Sequence, residues 1–147
     1  HTTVLKLKKE GQKDWNGDDL IFVDASYIIA LIVEKDQWHN DAVRLLEKLK
    51  SEDKIITEPM IIESLNLIGS CHGGKVGVMA FKYIKDNFTI FKSDTLLEES
   101  LRYYLKFDGT LSLADCTAIH TMKENNIFEI VSFDDDFDKV DGIVRVC

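Results

Sequence analysis

Residues 132–138 read SFDDDFD, four carboxylates in five positions directly after the apolar run FEIV. Adjacent carboxylates repel one another, so either a solvated turn or a bound cation must hold them. Three other acids stand in conspicuous places: Asp24 ends LIFVD, Glu63 interrupts PMIIESLNLI, and Asp115 ends LSLAD. Each has an ordinary explanation. Asp24 and Ser26 suit a helix N-cap. Glu63, with Asn66 at i+3 and Ser70 at i+7, suits a polar helix stripe. Ser112, three residues before Asp115, suits a capping box with Asp in place of the usual Glu. Against these stands the cost of burial, because an unpaired carboxylate in an apolar setting needs water, a partner or a metal. Ala118, Ile119 and Met122 follow Asp115 at i+3, i+4 and i+7, which turns that acid toward the interior stripe.

Four carboxylates from separate elements make an oxygen-only donor set, the kind that suits Mg²⁺ or Mn²⁺. Within SFDDDFD, alternation from the preceding strand sends Ser132 and Asp134 to one side and Phe133 and Asp135 to the other. Asp134 is therefore the first choice for the site and Asp136 the second. Asp135 and Asp138 are expected in solvent, and Phe133 and Phe137 are expected to anchor the turn by packing. The four histidines are scattered and the three cysteines share no short metal-type spacing, so zinc finds no support.

The elements that must position these acids alternate in type. Strands are predicted at LIFVD (20–24), KIIT (54–57), FTIFK (88–92), FEIVSF (128–133) and IVRVC (143–147). Helices are predicted from Ser26 through YIIALIVE, over HNDAVRLLEKLKSE, from Pro59, up to Asn87, and over 94–106 and 112–125, with a break from Gly69 to Gly74. Apolar strands alternating with helices indicate an α/β domain with a mainly parallel sheet of about five strands. Such sheets bind ligands beyond the carboxyl ends of their strands, where this chain puts its acids. Residues 1–19 do not fit the rhythm and read as an N-terminal extension before a domain over 20–147.

The 147 residues suit one domain. No apolar run approaches the length needed to span a bilayer, and no signal peptide is visible, so a cytoplasmic protein with free thiols is expected. Net charge is −8, against broad non-specific nucleic-acid binding. The charge is uneven. Residues 107–142 hold nine acids and two bases, whereas 75–106 hold six bases and four acids. Lys75, Lys82, Lys85, Arg102 and Lys106 are therefore candidate contacts for an anionic ligand, although a solvated helix face explains any single lysine as well.

Together, IFVDASYIIALIVEKD, EPMIIESLNLI, LSLADCTAIHTMKENN and IVSFDDDFDKVDGI resemble the PIN domain family, metal-dependent ribonucleases that include VapC-type toxins. The motifs are short and degenerate, but their order and intervals are specific, and they cover residues 20–147. The resemblance implies a three-layer α/β/α fold and an endoribonuclease that uses Mg²⁺ or Mn²⁺. It places Asp24, Glu63, Asp115 and Asp134 as catalytic metal ligands with Asp136 as a further acid, and Ser26, Asn66 and Ser132 in support. It further implies single-stranded or loop RNA as substrate, products with 5′-phosphate and 3′-hydroxyl ends, a small antitoxin-type partner and a homodimer. The extension before Asp24 departs from compact VapC-type members. A non-catalytic RNA-binding scaffold and a housekeeping RNA-processing nuclease are the alternatives. A phosphoryl-accepting receiver domain is set aside, since it needs an acid pair after the first strand and a lysine after the last.

Overall fold

A computed structural model describes residues 20–147; the expected extension at 1–19 lies outside the described residues. Five strands form one sheet: β1 (Leu20–Val23), β2 (Asp53–Thr57), β3 (Thr89–Phe91), β4 (Glu129–Val131) and β5 (Val144–Val146). The order across the sheet is β3-β2-β1-β4-β5 and every pairing is parallel, with Phe22 opposite both Ile55 and Ile130. β1 is the central strand and all four of its residues are buried, as its unbroken LIFV run requires. Six helices cover the sheet in a three-layer α/β/α arrangement: α1 (Ala25–Ile32), α2 (His39–Lys48), α3 (Glu58–His72), α4 (Gly74–Asn87), α5 (Leu96–Lys106) and α6 (Leu113–Glu124).

The chain builds outward from β1 through β2 to β3, then crosses back to place β4 and β5 on the other side. The switch falls between β1 and β4, and neighbouring loops diverge there to leave a crevice at the carboxyl ends. Asp24 follows β1 and Ser132 follows β4, so two of the expected site residues flank that point.

Local chemistry starts the helices that matter. Asp24 is the N-cap of α1, and Thr57 caps α3 while Pro59 occupies its first turn. Ser112 caps α6 by accepting from the Asp115 amide at 3.1 Å. α6 packs against α3, α5 and β2, and it is buried from Ala114 to Met122. A helix enclosed along this length has no polar face, which leaves Asp115 little exposure to solvent.

The predicted break from Gly69 to Gly74 is narrower in the structure. α3 continues to His72, and only Gly73, with φ of 89°, interrupts it. Gly69 is an ordinary helical residue whose carbonyl accepts the Gly73 amide at 2.9 Å. α1 and α2 also stop short of the expected ends, at Ile32 and Lys48. In α2, Ala42, Leu45 and Leu49 enter the core while Val43 and Leu46 stay exposed. Cys71, Cys116 and Cys147 are free thiols. Among the described residues, no helix is long and apolar enough to cross a membrane.

Candidate metal centre

The crevice is built from Asp24 outward. Asp24 is 3% exposed, and its Oδ2 accepts from Ser26 Oγ at 2.6 Å, from Ser132 Oγ at 2.7 Å and from the Ser26 amide at 3.3 Å. Among the described residues Oδ1 takes no hydrogen bond, so one oxygen is held in place and the other is left for a ligand. Ser132 Oγ also accepts the Asp134 amide at 3.0 Å, and Asp134 Oδ1 accepts the Asp136 amide at 2.9 Å. One hydrogen-bonded chain therefore fixes the loop after β4 against the carboxyl end of β1. The N-cap reading of Asp24 holds, and the same side chain keeps Oδ1 unbonded among the described residues.

Glu63 lies on the second turn of α3, half-buried, and Asp115 on the first turn of α6, 7% exposed. Ser112 lies close enough to both for its hydroxyl to lower the pKa of the two carboxyls. Four acids therefore converge from β1, α3, α6 and the loop after β4. Their electrostatics show the convergence. Burial raises the Asp24 carboxyl above its ordinary value, its serine hydrogen bonds pull it back, and Asp134 pushes it up again. Burial raises Glu63, with further repulsion from Asp24 and Asp134. Asp115 is pushed from 3.8 to about 7 by burial, then by Asp24 and by Glu63. Among the described residues no lysine or arginine pairs with Asp24, Glu63 or Asp115. Among the described residues, the arrangement is a pocket of negative charge with no paired cation. Its donors are all oxygen, the type that suits a hard divalent ion, but among the described residues the acids whose oxygens all lie within 4.8 Å of one another are Asp134, Asp135 and Asp136.

The remaining acids divide. Asp134, Asp135 and Asp136 each offer an oxygen within 4.8 Å of the others, at the mouth of the crevice. Asp136 also lies 3.9 Å from Lys139 Nζ. Asp138, expected in solvent, makes a forked pair with Arg145 at 3.0 Å through both Nε and the terminal nitrogen. Phe137 anchors the turn from a fully buried position, but Phe133 is only half-buried and stacks on Trp38. Asn66 is exposed and lines a groove with Glu63 and Ser112, and Ser70 bonds its own helix at Leu67.

The candidate RNA contacts spread over two helices. Lys75 opens α4, while Lys82 and Lys85 lie in its last two turns, which lead into the amino end of β3, the sheet edge opposite the acids. Arg102 faces the far end of α6, 3.8 Å from Glu124 and over the Tyr103 ring. Lys106 closes α5 and lies over Phe107. Sequence reasoning did not single out Ser112, Trp38 or the Arg145–Asp138 pair. The capping signal at Ser112 was visible, but its bridging position depends on α3, which is distant in sequence.

Residues 21–143 match the PIN domain. The chain belongs to that family. Among solved structures, the PIN fold here is similar to Mycobacterium tuberculosis VapC20, described as a Sarcin-Ricin loop cleaving toxin. Identity is 25%, the TM-score is 0.76, and the match covers 86% of this chain and 98% of that one. A toxin-antitoxin complex from Klebsiella pneumoniae matches at 20% identity and TM-score 0.61, over 84% of this chain and 95% of that one. VapBC2 from Rickettsia felis, bound to a DNA fragment from its promoter, matches at 10% identity and TM-score 0.62, over 86% and 97%. These last two likenesses are of fold. A comparison with curated proteins finds no match.

Proposed function

We propose that this PIN domain is an endoribonuclease dependent on Mg²⁺ or Mn²⁺, acting as the toxin of a toxin-antitoxin pair. The observation that supports the proposal is the mutual repulsion of Asp24, Glu63, Asp115 and Asp134, with no lysine or arginine paired to Asp24, Glu63 or Asp115 among the described residues. These four are the proposed catalytic metal ligands, with Asp136 at the mouth. A bound divalent ion would activate a water and stabilise charge on the leaving oxygen of a phosphodiester. The chain's own contribution is to hold the ligands before the ion arrives. Ser26 and Ser132 fix Asp24, Ser112 spans Glu63 and Asp115, and Asn66 lies beside Glu63 in the groove. Burial excludes water from Asp24 and Asp115, which strengthens their interaction with a cation.

Hydrolysis would leave 5′-phosphate and 3′-hydroxyl ends on single-stranded or loop RNA. Of the proposed basic contacts, Lys75 and Lys106 lie free of ion pairs among the described residues, as do Lys82 and Lys85. A small antitoxin-type protein and a second copy of the chain are the proposed partners, supported by exposed Ile62, Leu67, Leu97, Leu101 and Leu105 on α3 and α5. A cytoplasmic site of action follows from that role. The test is cleavage of single-stranded RNA with Mg²⁺ or Mn²⁺ and with excess EDTA. Cleavage is expected to stop with chelator, and undiminished cleavage would refute the metal mechanism. Growth arrest on expression, relieved by the product of an adjacent small gene, separates the toxin role from housekeeping RNA processing.

A further inference from the structure

A second feature opens beside the acids and shares Ser26 and Asp134 with them. Ser26, Ile29, Asp36, Gln37, Trp38, Phe133, Asp134, Asp135 and Arg145 line a groove of about 590 Å³. Trp38 and Phe133 stack there with ring centroids 5.3 Å apart and planes inclined by 4°. Trp38 is nevertheless 40% exposed. Phe133 stacks on one face of the indole, and two-fifths of the residue stays open to solvent.

The backbone that carries the indole is held in place. The Trp38 main-chain amide donates to Asp36 Oδ2 at 2.9 Å, and its carbonyl accepts the Ala42 amide at 2.9 Å as α2 begins. His39 Nδ1, on the next residue, bonds the Ala30 carbonyl at 2.7 Å and ties this loop back to α1. The Phe133 amide donates to Ser26 Oγ at 2.9 Å, and that hydroxyl donates to Asp24 Oδ2. Two hydrogen bonds therefore link the ring beneath Trp38 to the deepest acid of the site.

We infer that Trp38, backed by Phe133, is a stacking platform for one unpaired nucleobase of the RNA whose backbone lies at the acids; this rests on the nuclease reading above. A solvent-exposed indole strengthens single-strand recognition by stacking on a base, whatever the base. The groove's charges favour this occupant. Asp36, Asp134 and Asp135 repel a phosphate, while a neutral base meets no such penalty. A basic peptide is the rival occupant, but the groove already carries a cation in Arg145, which is paired with Asp138 and bonded to the Ser132 carbonyl at 3.3 Å.

The experiment uses the full chain with Trp15→Phe, so that Trp38 is its only indole, and an eight-residue oligoadenylate bearing a 3′ fluorophore in Mg²⁺. Binding is expected to quench Trp38 emission on mixing. In anisotropy titrations Trp38→Leu, which keeps an apolar cover on Phe133, is expected to bind roughly tenfold more weakly, and Trp38→Phe to recover most of the affinity. The Mg²⁺-induced shift in melting temperature is expected to be equal in all three proteins. Equal affinities, binding without quenching, no binding at all, or a lost Mg²⁺ shift in Trp38→Leu would each overturn the platform. Quenching by a hexa-arginine peptide but not by the oligomer would overturn it and assign the groove to a protein partner. Quenching and weakened binding without any cleavage would support the platform while refuting the nuclease.

Discussion

Two sets of acids sit at the same edge of this PIN domain and behave differently. Asp24 and Asp115 are buried, far apart in sequence, and forced up in pKa by burial and by other carboxylates. Asp135, Asp136 and Asp138 are clustered in sequence and meet solvent or a base: Asp138 is held below its ordinary value by hydrogen bonds from Arg145, and Asp136 lies near Lys139. Density of charge along the chain therefore says little about electrostatic strain. Strain comes from enclosure, and only acids brought together by separate elements are enclosed. Asp134 belongs to both sets, adjoining the turn while repelling Asp24 and Glu63.

The largest expected effect separates the sets directly. Asp24→Asn or Asp115→Asn is expected to reduce RNA cleavage by on the order of a hundred- to a thousandfold, since each removes a charge from the proposed ion site. Asp138→Asn is expected to change cleavage by less than about threefold and to leave stability nearly unchanged, because its pair with Arg145 is at the surface. Comparable losses from all three substitutions, measured as kcat/KM, would erase the distinction.

Next in size is the response to metal. Wild-type protein is expected to melt at a higher temperature with Mg²⁺, by about 2.7 kcal/mol of stabilisation at a hundredfold excess over Kd. Asp115→Asn is expected to gain much less. Without metal the same variant should be as stable as wild type or more so, because it keeps the capping geometry and sheds a repelled charge. A strongly destabilised metal-free variant, with no Mg²⁺ response in either protein, would make Asp115 a structural cap alone.

A smaller effect follows from pH. Unfolded, Asp115 titrates near 3.8; folded, near 7. Between those values the folded state keeps a proton that the unfolded state has lost, so stability of the metal-free protein falls as pH rises. The decline is on the order of a few kcal/mol at most. Denaturant titrations from pH 4 to pH 8 should show it, and Asp115→Asn should flatten it. Smallest of all, deletion of residues 1–19 is expected to leave a cooperative melt, because the five described strands already pair into one sheet. An unfolded truncation by circular dichroism would make those residues integral.

Much of the fold could be read in one dimension because the signals are local. LIFV is unbroken because β1 is covered on both faces, Thr57–Pro59 and Ser112 start helices by short-range hydrogen bonding or fixed φ, and the alternation of element types sets the parallel sheet. Helix ends and the Gly69–Gly74 segment were less legible, since glycine permits a break without requiring one. Asp24, Glu63, Asp115 and Asp134 could be nominated by type and context, and the PIN resemblance put them in order. Their enclosure, the bridging by Ser112, and the pairing of Asp138 with Arg145 could not be read, because each joins residues whose separation depends on how the helices and strands pack. Trp38 is the clearest case. In sequence it is an aromatic residue in a polar loop; beside Phe133, 95 positions away, it becomes one face of a groove next to the acids. The residue types and local propensities determined which chemistry this chain could carry, and tertiary packing decided which carboxylates share one low-dielectric crevice, since repulsion and desolvation depend on distance and burial rather than on order along the chain.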